Sequence, residues 1–147
     1  IARGAGTEII RTYHAKDIDA TVNILIFGVK HHIYTVLSFI LHTQTWQAAG
    51  NYFQLRLNAY DSKAGTTNQS IIITQVDMSV TQTYVWNDKF SFNGTEPTDF
   101  AGPVDDAAKQ NAIADQGSDV AQKLILVTEN AADGGHVHCT YIDQNNA

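Results

Sequence analysis

The sequence predicts an all-β chain: one antiparallel β-sandwich of jelly-roll type, with one short helix in a long loop near residues 103–116. Three observations carry this prediction. Alternation of apolar and polar residues with period two recurs along the chain, at least seven such segments follow one another at short spacing, and Gly-, Asn- and Asp-containing turns separate them. A length of 147 residues buries one continuous core and is cramped for two.

In chain order, residues 1–20 read as an extended N-terminal arm and residues 21–147 as the single domain. The first six residues lack the apolar core of a signal peptide. A start at Ile1 without Met suggests that residues are missing from the beginning of the chain. Residues 22–27 form an apolar strand. In the next, 32–42, both parities carry bulk: Ile33, Leu37, Phe39 and Leu41 on one, Tyr34, Val36 and Ile40 on the other. A strand apolar on both faces is covered on both, either within the domain or by a neighbouring subunit. Residues 51–60 alternate cleanly, with Phe53, Leu55, Leu57 and Ala59 directed inward.

Residues 62–70 form a polar hairpin connection, and 71–77 a β-branched strand with Ile71, Ile72, Ile73 and Val76. Between 82 and 92, Tyr84, Trp86, Phe90 and Phe92 share a parity, interrupted near Asn87 and Asp88. A long excursion follows, from 93 to 118. Pro103, Asp105 and Asp106 at its start and Gly117 after its end predict the short helix. Strands at 123–129 and 136–142 close the chain, joined across Asn130, Asp133, Gly134 and Gly135 by what reads as a hairpin turn.

Composition narrows the function. Only 16% of residues are charged, so the surface is rich in Thr, Asn, Gln and Ser and suits permanent contacts. The net charge is -6 and the Lys and Arg residues are scattered, which disfavours nucleic-acid partners. The most apolar run, 33–41, is far short of the roughly 20 residues of a membrane helix. The single Cys139 excludes an internal disulfide and sits in an alternating strand, where a lone cysteine is most often a small buried hydrophobe.

His136 and His138 project from one strand face and could give a metal two ligands, but no third is identifiable, and a polar outer face accounts for both. His31 and His32 point to opposite faces. Glu96, Asp99, Asp105 and Asp106 could offer oxygens to Ca²⁺, yet their spacing is not that of an EF-hand loop, and a helix start with a solvated loop accounts for them. Gly4 and Gly6 are not followed by a phosphate-binding pattern, and no nucleophile elbow, zincin helix or Cys-x-x-Cys pair occurs. The chain is therefore read as no enzyme, without cofactor or metal.

The phrase Gln-Thr-Tyr-Val-Trp-Asn-Asp-Lys-Phe-Ser-Phe from Gln82 to Phe92, followed by a polar loop, a short helix and the closing Lys-Leu-Ile-Leu-Val strands, resembles small β-sandwich virion proteins of tailed bacteriophages. The likeness spans 22–142 in pattern and is specific around 84–92. It implies a capsid decoration or cement protein in the phage particle, assembled in the host cytoplasm. The partners implied are the major capsid protein or other virion proteins and copies of the chain itself, a trimer being one such form. Contacts are expected from 32–42, the 93–118 excursion and the arm, through Tyr34, Val36, Ile40, Trp46, Phe100, Val104 and Ile113. The alternative is a tail, neck or fibre-associated module binding a receptor or carbohydrate through Trp46, Tyr52, Tyr60 and Tyr84.

Overall fold

A computed structural model describes residues 6–16, 21–61, 66–95, 105–108, 110, 121–130 and 132–145. They form nine strands: β1 (Thr7–Ala15), β2 (Val22–Phe27), β3 (His32–Thr45), β4 (Tyr52–Asp61), β5 (Thr66–Asp77), β6 (Thr83–Trp86), β7 (Phe90–Asn93), β8 (Lys123–Thr128) and β9 (Gly134–Asn145). One sheet, A, runs β1-β9-β3-β6, with β7 also on β3. The other, B, runs β2-β8-β4-β5, and every pairing is antiparallel.

Because β6 and β7 pair with successive halves of β3, they act as one strand interrupted at 87–89, the break read from Asn87 and Asp88. The pairs β1·β9, β2·β8, β3·β6/β7 and β4·β5 then make the chain one long hairpin. Folding that hairpin over brings β9 onto β3 and β8 onto β4. The result is the double Greek key of a jelly roll, as predicted.

The two-faced look of β3 has a local cause. Its register with β9 shifts between Val36 and Ser38, so Leu37 is an extra residue that reverses the parity. Tyr34 and Val36 before the bulge and Phe39, Leu41 and Thr43 after it all turn into the core. β2 carries a similar shift between Ile24 and Ile26. It buries Leu25 and Ile26 together while Ile24 and Phe27 stay exposed. Across the sandwich, Phe39 of sheet A meets Phe53 of sheet B with ring centroids 6.0 Å apart, and Phe53 packs edge-on against Tyr84 at 5.3 Å. Leu55, Leu124, Leu126, Val137 and Cys139 complete the centre.

Three expectations change. Thr7–Ala15, expected in an arm outside the sandwich, is an edge strand paired with β9 from Thr7↔Asn145 to Ala15↔Val137. Apart from Tyr13 and Ala15, which pack against the core, its side chains bury little, so its order rests on the main-chain ladder. The turn at 130–135 is not a hairpin: β8 and β9 lie in different sheets, and the turn carries the chain across. Asp133 anchors this crossing from a fully buried position, accepting hydrogen bonds from Gln47 N–H (2.7 Å), Asn130 N–H (3.2 Å) and the Asn51 amide (3.3 Å). The helix expected over 103–116 lies mostly outside the described residues, whose part of it shows Gln110 N–H bonded to the Asp106 carbonyl at 3.1 Å.

At the opposite end, the β2–β3 turn and the chain after β7 approach backbone to backbone. Gly28 N–H donates to Gln122 O, Gln122 N–H to Gly94 O, and Gly94 N–H to His32 O, at 2.8, 2.9 and 2.8 Å. A Cβ on Gly94 would collide with the Val29 backbone, and one on Gly28 with the Gly94 carbonyl. Gly94→Ala is therefore expected to destabilise the fold by about 1–3 kcal/mol or more, read as a lower urea midpoint with an unchanged slope. Wild-type stability in that variant would refute this packing.

Candidate functional site

Three of the seven residues expected at an interface are instead turned inward. Tyr34, Val36 and Trp46 are buried, the first two because the bulge turns them inward. Trp46 closes the β3–β4 turn with its indole N–H donated to Asn51 O at 3.1 Å, so it offers no stacking platform to a sugar. Tyr84 packs against Phe53, and Tyr52 is half-buried. Ile40 lies half-buried on sheet A between His138 and Val85. Phe100, Val104 and Ile113, like Glu96 and Asp99, lie outside the described residues, as does the side chain of Tyr60.

The groups with reactive potential are engaged structurally. Burial pushes the Cys139 thiol up to about 12, against an ordinary value of 9.0, so almost no thiolate forms near neutrality. At the end of the sandwich where β1, β3 and β9 meet, the buried Asp143 carboxylate accepts from Arg11 Nε at 2.9 Å and lies 2.6 Å from His32 Nδ1. Tyr34 stacks on Phe92, and its hydroxyl accepts from Val29 N–H at 3.0 Å. Burial raises Tyr34 to about 12 and raises Tyr141 as well, which keeps both phenols protonated. This cluster joins strand ends to the β2–β3 turn.

The surface with binding character is the outer face of sheet B, which the sequence reading passed over. Register defines its rungs. Val22, Val127, Gln54 and Gln75 form one, Ile24, Ile125, Arg56 and Ile72 the next, and Phe27, Lys123, Asn58 and Ser70 the third. On the β2 side the rungs are apolar: Val22, Ile24 and Phe27 are 53%, 44% and 57% exposed. Toward β4 and β5 they carry polar groups, tied by Arg56 Nε to Gln54 Oε1 (2.6 Å) and Gln54 Nε2 to Gln75 Oε1 (2.5 Å), with exposed Ile72 of β5 the apolar exception. Lys123 Nζ stands 5.3 Å from the centroid of the Phe27 ring. Among the described residues β2 ends the strand order of sheet B, so an apolar stripe and a sheet edge coincide there. The clue in the sequence was Val22–Phe27, apolar on both parities.

Among the described residues no three His, Cys, Asp or Glu side chains gather as a metal site, and no helix is long and apolar enough to cross a membrane. His136 and His138 share the outer face of sheet A, as their spacing implied, and each has a histidine neighbour from another strand.

No protein-family model and no curated protein matches the chain. A solved structure described as "Bacillus endospore appendages form a novel family of disulfide-linked pili" is 13% identical, with a TM-score of 0.43 over 100% of this chain and 96% of that one. At that identity and score the likeness assigns no function.

The burial of Cys139 sets an expectation for its chemistry. Iodoacetamide should alkylate the native chain at least about a hundredfold more slowly than the chain unfolded in guanidinium, followed by mass spectrometry at pH 8. Equal rates would show that the thiol is accessible in the folded state.

Proposed function

We propose that this chain is a non-enzymatic structural subunit that works by docking, specifically a capsid decoration or cement protein of a tailed bacteriophage that bridges major capsid subunits. The observation that carries the docking role is the exposed stripe of Val22, Ile24 and Phe27 along the β2 edge. The finer assignment to a phage head rests on the 82–92 resemblance. Jelly rolls serve as viral capsid domains among other roles, so the fold is compatible with the proposal without deciding it.

Docking through this stripe would act by area. Specific interfaces bury roughly 1,600 Å² in total, more than one strand's outer residues supply, so flanking polar residues such as Gln75 and Arg56 would form its rim. A load spread over many contacts of this kind suits a shell under internal pressure. The reading places the chain in the virion, with the major capsid protein and further copies of itself as partners.

The test is light scattering over a concentration series, with the chain alone and then mixed with capsid shells that lack it. Self-association or shell binding is expected, weakened at least about tenfold in the Ile24→Asp/Phe27→Asp variant while its circular dichroism stays native. A monomer that ignores shells would overturn the cement role, and unchanged binding in the variant would remove the β2 stripe from it.

A further inference from the structure

Four of the six histidines stand on the outer face of sheet A in adjacent rungs: His14, His138, Ile40 and Val85 in one, and His136, His42 and Thr83 in the next. His14 and His138 are direct cross-strand partners on β1 and β9. Their rings are 5.4 Å apart and their Nδ1 atoms 3.1 Å apart, at an exposed position. Two imidazole nitrogens bound to one tetrahedral zinc at about 2.0–2.1 Å stand about 3.3 Å from each other, and two adjacent nitrogens of a square-planar copper or nickel ion about 2.9 Å. The observed separation falls between these values.

The surroundings suit a ligand role. His138 Nε2 lies 3.3 Å from Thr140 Oγ1. With Nε2 protonated and donating there, Nδ1 keeps its lone pair directed at His14, the outer-shell arrangement that orients metal-binding imidazoles. Without an ion, the His14 tautomer protonated on Nδ1 would donate to that lone pair. An ion between the rings takes the place of this shared proton, and His14 carries its proton on Nε2 instead. The neighbouring rung is less suited: His42 and His136 ring centroids are 6.3 Å apart, and His42 Nδ1 is engaged by Thr83 Oγ1 at 2.7 Å.

We propose that His14 and His138 form a two-histidine site for a divalent transition-metal ion, zinc, copper or nickel, which staples edge strand β1 to β9. The described residues place no third His, Cys, Asp or Glu beside the pair, so water fills the remaining positions and the bound ion is exchangeable. β1 is where such a staple has most effect, because few of its side chains are buried.

The test is titration of the tag-free full-length chain with Zn²⁺ and, separately, Cu²⁺ by calorimetry, together with amide hydrogen exchange of β1. One ion per chain is expected, with exchange of the β1 amides slowed by metal and restored by EDTA. His14→Gln and His138→Gln, each checked for native circular dichroism, should lower affinity about tenfold or more, and Thr140→Val should lower it severalfold. His42→Gln and His136→Gln should leave it unchanged. Absence of binding, binding that survives both His14→Gln and His138→Gln, or loss in His136→Gln instead would each overturn the assignment.

Discussion

The extra residue at Leu37 sets the geometry on which the rest of sheet A depends. β3 is the central strand of that sheet, carrying β9 along one side and β6 and β7 along the other. A regular strand 14 residues long would send either Tyr34 and Val36 or Phe39 and Leu41 to solvent, because successive side chains alternate. The bulge lets both sets enter one core. The opposite flank answers it: β7 stops pairing at Val36, β6 resumes at Phe39, and residues 87–89 bridge the gap. The two irregularities are halves of one adjustment, which gives the 82–92 phrase its interrupted pattern.

Polar groups fix the ends once the sheets are aligned. At one end Asp133 joins the β3–β4 and β8–β9 connections. Beside it the buried Thr43 hydroxyl accepts from Gln82 N–H at 2.9 Å and donates to Ser79 O, holding the β5–β6 turn against β3. At the other, Asp143 binds Arg11 and His32 while the glycine contacts close the backbone. Asp133, Thr43 and Asp143 thus each replace their lost water with donors or acceptors from other parts of the chain. Among the described residues, connections far apart in sequence are thereby joined by hydrogen bonds.

Much of this was legible in the sequence, for identifiable reasons. The β2 segment was recovered at both ends and β4 to within a residue, because apolar bulk and turn residues bound them sharply. The inward set Phe53, Leu55 and Leu57 followed from alternation alone. What was hidden depended on pairing over long separations. A bulge and a two-faced strand look identical when only parity is visible, so parity alone offers Tyr34 and Val36 as contact residues. The β8–β9 turn has the chemistry of a hairpin, and only sheet order shows that it crosses between layers. β1 lacks a strong pattern because few of its side chains are buried, and the meeting of His14 with His138, 124 positions away, has no trace in local sequence.

The two outer faces differ in a way that bears on how the chain meets its surroundings. The core consumes the inner positions of both sheets, leaving outward residues free to specialise. Sheet A presents His14, His42, His136 and His138 with Thr12, Thr140 and Ser38, and its exposed apolar residues Ile10 and Val85 stand well apart. Sheet B gathers Val22, Ile24 and Phe27 into one stripe at an edge strand without a charged residue of its own. Isolated proteins usually blunt such edges with lysine, proline or a covering segment. Here the only blunting visible among the described residues is Lys123 of the next strand, lying over Phe27. The bulge between Ile24 and Ile26 bends the strand without removing its apolar border. Among the described residues, β2 is thus the edge where a strand border and exposed apolar side chains fall together.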